Sequence, residues 1–339
     1  MNKLGLGYRH LNKHEQAAYV LLEQSMRKHV VSFDASKIHR SVDVFKVINT
    51  VLGDNPDIIY FNKTALQTSI SIMGKKLSFV GCLSRSQTEK CNNQLQKALE
   101  DAVWEIDKES KNEREILIHI SEYLQRNVVY DDVEYAATRK SKHPMAHNAY
   151  GALVEHKAVC DGFASAYALI AQYFGIRGMV VSGKSSYKNS KHDNHAWNII
   201  EYEGQFYHVD ATWDSNSYAD TKHYSYDYFG LDDDEISVDH DWDISTTPKC
   251  DANKLSFFRY NDLLANSESQ IEDIIVRQLN RGENVIRLKV SPTISLTNDE
   301  DKCIGQYISS AFSRSRITGN TEYYYYWRTE SRCITIIIE

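Results

Sequence analysis

Three residues in chain order, Cys160, His195 and Asp210, pair a thiol with an imidazole and a carboxylate. A thiol at a helix N-terminus is favoured as thiolate by the partial positive charge there and by a neighbouring imidazolium, and the thiolate attacks carbonyl carbon. A carboxylate on one imidazole nitrogen fixes the tautomer, leaving the other nitrogen to pair with sulfur and later to protonate a departing amine. Cys160 stands just before the apolar stretch 163–174, which reads as a buried helix. His195 lies in Asn194-His195-Ala196-Trp197-Asn198, and Asp210 in Tyr207-His208-Val209-Asp210-Ala211-Thr212-Trp213-Asp214.

These side chains have to be positioned by elements on either side. A short apolar run, 151–154, reads as strand-like and precedes the Cys160 helix. Strands are expected at 178–182, 196–202 and 205–211, the last two joined by a turn at Glu203-Gly204. Side chains alternate along a strand, so His195 and Trp197 share one face, and His208, Asp210 and Thr212 share one face of the next strand. Asp210 can thus lie across from His195, with Asp214 the orienter only if that strand ends early. The Cys160 N–H would supply part of an oxyanion hole, and Gly162 serves either close substrate approach or helix packing.

Before this segment, apolar recurrences at helical spacing predict helices at 13–31 and 36–52. The breaker Asp54-Asn55-Pro56-Asp57 follows, then strands at 58–61, 65–73 and 76–82, with a turn at 74–75. A helix at 86–107 opens on Ser86-Gln87-Thr88-Glu89. The next helix, 111–126, carries Ile116, Ile120, Tyr123 and Leu124 inward, and a polar, histidine-bearing loop spans 131–148. The stretch 215–251, rich in Tyr, Asp and Ser, reads as an irregular linker and covering loop. Helices at 268–280 and 298–312 and strands at 284–290, 322–328 and 333–339 end the chain. The expected organisation is three domains: an α+β domain over 1–108, the thiol-bearing domain over 109–250 and a small α+β domain over 251–339.

A net charge of -7 with 25% charged residues gives no electrostatic reason for a nucleic-acid or anionic-membrane partner. No stretch of about 18 apolar residues and no apolar core of a secretory signal is seen, so a cytoplasmic protein is expected. The six cysteines are scattered without a C-x-x-C pair, which suggests neither a disulfide framework nor structural zinc. His192 and His195, three apart in a loop, are a weak ligand signal, and the run Asp232–Glu235 lacks the ligand spacing of a calcium loop. No metal or cofactor is expected.

The run 149–214 carries Ala-Tyr-Gly-Ala-Leu-Val, Ala-Val-Cys-Asp-Gly-Phe-Ala, Asn-His-Ala-Trp-Asn and His-Val-Asp-Ala-Thr-Trp-Asp in order. It resembles the core of the transglutaminase-like superfamily, especially its bacterial members, over roughly 113–214. The resemblance implies a papain-like α+β core, a helix carrying the cysteine packed on an antiparallel sheet, and a Cys-His-Asp triad at Cys160, His195 and Asp210. It also implies acyl-thioester chemistry on a peptide or protein amide, with water or an amine as acceptor: hydrolysis as a cysteine peptidase or amidase is the leading expectation. Transglutamination, peptide or natural-product tailoring, and a binding or scaffolding protein without turnover are the alternatives. Trp197, His208, Trp213, Tyr150 and Gly162 are expected to line the cleft. The acyl donor and the oligomeric state are not encoded legibly.

Overall fold

The computed structural model describes all residues except 1–4, 31, 62–66, 72–73, 79–80, 138–140, 187–192, 297–298 and 318–320. The chain divides into two compact units, one of residues 1–224 with 231–252, the other of 225–230 with 253–339.

The first unit opens with helices Lys13–Arg27 and Val44–Asp54. Asn12 starts the former through a capping box with Glu15, and Asp43 caps the latter. Tyr19, Leu22, Met26, Val47 and Val51 bury their common face. The run 58–61, expected as a strand, has only an isolated bridge from Phe61 to Gly81, yet all four side chains are buried. Such short apolar runs carry no period that separates a strand from a buried loop. Strands Gln67–Ser71 and Gly74–Ser78 stand where a hairpin was expected, joined by Ser32–Asp34 on the free edge of the latter. The turn expected at 74–75 falls inside a strand, and the ends of the expected strands at 65–66, 72–73 and 79–80 lie outside the described residues.

Helix Arg85–Glu109 is capped by Ser84 with Gln87, two residues ahead of the expected start. Helix Glu113–Asn127 follows and buries Leu117, Ile120 and Leu124, leaving Ile116 half-buried. Residues 151–154 are not strand-like: Asn148 caps a short helix, Ala149–Leu153, whose five residues are all buried, so no alternation marks the run as strand.

Helix Cys160–Tyr173 then packs Ala164 and Ala168 against Val180 and Ala196 of an antiparallel sheet. Within this unit the sheet runs in the order His240–Asp241, Gly178–Ser185, Asp193–Tyr202, Gln205–Val209. Glu203 (φ 50°) and Gly204 (φ 74°) make the tight hairpin turn that the sequence signalled. The N-terminal residues pack directly on these elements: Asn148 donates to the Ile59 carbonyl, and Gln172 to that of Asp54. The stretch 215–251 is not an irregular linker. It continues helix Ala211–Thr221 and contains helix Asp233–Ile236 and strand His240–Asp241. Asp214, Ser215 and Ser217 are among the buried residues of the first of these, and polar groups on a buried face erase the hydrophobic period. The acidic run Asp232–Glu235 is a helix start, with Asp232 and Glu235 forming a capping box.

In the second unit, strands Leu264–Ala265, Val285–Val290, Cys333–Ile338 and Tyr323–Arg328 form one sheet in that order. Helices Glu268–Asn280 and Glu300–Arg314 bury Ile271, Ile275, Ile304 and Ile308 with Leu288, Ile334 and Ile336. Tyr323, Tyr325 and Trp327 alternate onto that same core.

Candidate functional site

Cys160 is the first residue of its helix, as the apolar run after it implied. The N-cap position is Val159, whose side chain makes no capping hydrogen bond. A Ser, Thr, Asp or Asn there would stabilise the helix by about 1 kcal/mol by satisfying a first-turn N–H. Val159 accepts the Gly162 and Phe163 N–H groups through its backbone carbonyl and contributes no side-chain oxygen of its own. Cys160 is partly exposed, whereas His195 and Asp210 are buried.

His195 Nε2 lies 2.6 Å from Asp210 Oδ2. A carboxylate can only accept, so Nε2 carries a proton and Nδ1 is left for the thiol. Burial by itself would lower the His195 pKa. The Asp210 charge and hydrogen bond outweigh it, a hydrogen bond and charge from Cys160 add to them, and the imidazole is lifted to about 9. Asp210 too is opposed by burial, yet the charge and hydrogen bond of His195, then those of His240, hold its carboxyl well below the usual carboxylate range.

The route by which Asp210 reaches His195 differs from the expected strand pairing. The strand ends at Val209, which pairs with Asn198, and His208 pairs with Ile199, so no residue of that strand stands opposite His195. Asp210 is the N-cap of helix Ala211–Thr221, its Oδ1 accepting Thr212 N–H at 2.9 Å and Trp213 N–H at 3.2 Å. One carboxylate oxygen therefore starts a helix while the other meets the imidazole. Asp214 sits in the first turn of that helix, with its N–H on the Asp210 carbonyl.

Residues 100–211 match the model of the Transglutaminase-like superfamily. No curated protein matches the chain. Three solved structures are similar in part. One is described as "a TGase", with 16% identity over 43% of this chain and 43% of that one and a TM-score of 0.31. Another is "a Putative Cysteine Protease from Cytophaga hutchinsonii", with 21% identity over 35% of this chain and 37% of that one, TM-score 0.28. The third is "a putative protease from Parabacteroides distasonis", with 10% identity over 42% of this chain and 35% of that one, TM-score 0.24. The chain spans less than half the length of each.

Cys160, His195 and Asp210 all fall inside the transglutaminase-like segment; His240 does not. His240 Nε2 lies 3.1 Å from the same Asp210 Oδ2, and its Nδ1 lies 2.5 Å from Asp239 Oδ1. Sequence reasoning missed it, because it lies in the stretch read as a linker; a histidine between Asp239 and Asp241 was the available signal.

The other residues expected in the cleft are placed elsewhere. Trp197 is buried behind His195, its ring 6.0 Å away, and its Nε1–H donates to His208 Nδ1 at 3.0 Å. His208 is fully buried, with Nε2 2.9 Å from Asp233 Oδ1. Alternation did put His208 on one side of its strand, but that side is covered by the Asp233 helix rather than open. Trp213 is half-buried, its ring 5.8 Å from that of His195 and 4.7 Å from that of His240. Tyr150 is buried and donates to Gln94 Oε1. Gly162 is a packing glycine: a Cβ there would stand 2.3 Å from the Ala146 carbonyl oxygen.

Two cavities meet at the thiol. One, of about 440 Å³, is walled by His195, Ser182, Lys184, Asp241 and Trp242; the other, of about 630 Å³, by Leu52, Ile58, Phe61, Pro144 and Val159; Cys160 and Asp161 line both. The apolar wall of the larger cavity comes largely from residues 52–61, far from the transglutaminase-like motifs in sequence. Asp161 Oδ2 is 3.3 Å from His147 Nδ1, whose Nε2 is 3.1 Å from Glu134 Oε1.

Among the described residues, His195, Asp210 and His240 bring ligand atoms within 4.8 Å of one another, as do His208, Asp233 and Cys250. His208 does not suit an ion: its Nδ1 accepts the Trp197 N–H, so Nε2 holds the ring's proton against Asp233 and no lone pair is left. In the first trio both Nε2 atoms likewise hold protons toward Asp210. His192, the partner in the spacing considered above, lies outside the described residues.

Proposed function

We propose that the protein is a thiol acyl-transfer enzyme in which Cys160 is the nucleophile, His195 its acid and base, and Asp210 the orienter. The observation that carries this reading is the position of His195, hydrogen bonded through Nε2 to a buried, ionised Asp210 and engaged on its other side with the Cys160 thiol. The Cys160 thiolate attacks an amide carbonyl carbon, and the carbonyl electron pair moves onto oxygen beside the first-turn N–H groups of the helix. When the C–N bond breaks, His195 Nδ1–H gives its proton to the departing nitrogen, leaving a thioester. Water, losing a proton to His195, then attacks the thioester, releasing a carboxylic acid and restoring thiolate and imidazolium.

Hydrolysis is the favoured outcome because Cys160, alone of the three, is partly exposed, so water reaches the thioester carbonyl. The substrate class is a peptide or protein amide, with one cavity for the acyl side of the bond and the other for the leaving side. An amine entering on the leaving side would turn the same intermediate to transamidation. Intact-protein mass spectrometry after mixing with a library of glutamine- and lysine-bearing peptides, with and without a primary amine, tests both. An acyl mass on Cys160 followed by product that has gained water is expected. Product that has gained the amine instead replaces hydrolysis by transamidation, and a Cys160 alkylated no faster than free cysteine at pH 6 overturns the enzyme reading.

A further inference from the structure

We infer that His240 is a positioning residue, a doubly protonated imidazole between Asp239 and Asp210 that holds Asp210 Oδ2 on His195 and keeps that carboxylate ionised. The inference rests on the function proposed above and adds a fourth side chain, from a strand outside the matched segment, to its machinery.

The charge state follows from geometry. Both ring nitrogens of His240 face carboxylate oxygens, Asp239 Oδ1 at 2.5 Å and Asp210 Oδ2 at 3.1 Å. Carboxylates cannot donate, so each nitrogen supplies its own proton and the ring carries a positive charge. The groups facing it are Asp210 from the end of the Gln205–Val209 strand, Asp239 beside it in its own segment, His195 with its ring 5.3 Å away, and His208 from that same Gln205–Val209 strand. His208 is held neutral by its bond from Trp197, so among these groups the cation that competes is His195 itself. Burial opposes the charge on His240, and the bonds to Asp210 and Asp239 outweigh it.

The ring cannot drift. Trp197 packs edge-on at 4.9 Å and Trp213 at 4.7 Å, while Asp239 holds the far nitrogen. Asp210 is consequently fixed at both oxygens, Oδ1 by two backbone N–H groups and Oδ2 by two imidazoles. With His240 absent, Oδ2 keeps one donor and can swing about the Cβ–Cγ bond, taking the His195 ring off its line to sulfur. Misplacement of a reacting group by about 1 Å costs roughly 100-fold.

Replacing His240 alone removes one positive charge from beside Asp239 and Asp210, so the test uses two charge-balanced double variants, D239N/H240Q and D239N/H240F. The glutamine side chain can donate one N–H to Asp210 Oδ2, and the phenylalanine ring cannot. Cys160 alkylation by iodoacetamide is followed from pH 5 to 9, with folding checked by circular dichroism and thermal melting. The D239N/H240F protein is expected to react roughly 10–100-fold more slowly than the native protein at pH 6, with a rate that climbs with pH as for an unpaired thiol. The D239N/H240Q protein is expected to recover at least about tenfold of that loss. Equal losses in both folded variants, or a folded D239N/H240F protein within about threefold of the native rate, overturn the role of His240 while leaving the thiol chemistry standing. A native protein that alkylates no faster than free cysteine removes both readings together.

Discussion

Asp210→Asn isolates the charge on which the proposed chemistry depends. Asparagine is as good an N-cap as aspartate, so Oδ1 can still accept Thr212 and Trp213 N–H and helix Ala211–Thr221 keeps its start. What changes is the other side. The amide nitrogen now faces His195 Nε2, a donor against a donor, and the imidazole relieves the clash by moving its proton to Nδ1. That tautomer points a proton at the thiol and cannot accept one; the corresponding change in serine triads costs about 10⁴ in turnover. The magnitude can be bounded from His195 itself. Its rise from 6.5 to about 9 is about 3 kcal/mol in favour of imidazolium, reached against burial. With the charge gone and burial retained, His195 falls to 6.5 or lower. At pH 7 the imidazolium-to-imidazole ratio drops from about 100:1 to below about 1:3, a loss of at least roughly 300-fold in the paired state. A thiol at the ordinary value of about 8.5 is only about 0.3% ionised at pH 6, which gives a similar factor from the sulfur side. Iodoacetamide alkylation read at Cys160 by peptide mass spectrometry measures this without a substrate. The native protein should react nearly independently of pH between about 5 and 8, and the Asn variant about 100-fold or more slowly at pH 6, rising steeply toward pH 9. An Asn variant that keeps the native profile within about threefold would show that Asp210 does not sustain the pair, and the reasoning would fail.

Two further outcomes follow from the same geometry. His195 and His240 have folded pKa values raised to about 9, so their contribution is full below 6.5 and is lost as pH rises through about 9. Asp210 is depressed, so its contribution is present above 3.8 and lost as pH falls through its folded value. The two windows overlap from about 4 to 6.5, where the melting temperature should peak; a melting temperature that stays flat or rises from pH 6.5 to 9.5 would contradict the assignment. Gly162→Ala should destabilise by about 1–3 kcal/mol in urea titrations, since its Cβ would meet the Ala146 carbonyl oxygen at 2.3 Å and Ala158 Cβ at 2.7 Å. A neutral result there would return Gly162 to the cleft-lining role.

The parts of the site that were legible in the sequence are those where local pattern and tertiary position agree. Cys160 precedes an apolar run whose helix starts where the run implies. Strand alternation placed His195 and Trp197 on one face, and their rings do stack. Alternation was carried two residues too far at Asp210, because Val209 and Ala211 continue an apolar every-other pattern; Asp210, followed four residues on by Asp214 in the first turn, was equally a helix start. His240 was illegible for a different reason. Its strand has two residues, too few for any period, and it is recruited to the sheet by pairing with Lys184 and Ser185 rather than by its own sequence. The cavity wall at Leu52, Ile58 and Phe61 belongs to a segment whose apolar residues announced only that they would be buried.

A comparison within the molecule shows why imidazoles, and not merely hydrogen bonds, matter to Asp210. Asp54 is a second buried carboxylate: it accepts Gly7 and Tyr8 N–H at 2.9 Å each and the Tyr19 hydroxyl at 3.2 Å. Those three donors do not overcome burial, and its pKa is pushed up to about 6. Asp210 has two backbone donors of the same kind, and burial acts on it in the same direction, yet its shift has the opposite sign. Asp210 has a pair of imidazoles on Oδ2, where Asp54 has the Tyr19 hydroxyl and the charge of Glu23 nearby, which adds to the effect of burial. A buried anion is retained when a cation shares its low-dielectric surroundings, where screening is weak and hydrogen bonds to ionised groups are at their strongest. The run of groups from the partly exposed Cys160 inward through His195, Asp210 and His240 to Asp239 alternates in sign when the thiol is ionised, and each member lowers the cost of burying the next. Cys160 lines both cavities and His195 one of them, so in the proposed reaction the thiolate that a substrate would meet is held in place by four groups behind it.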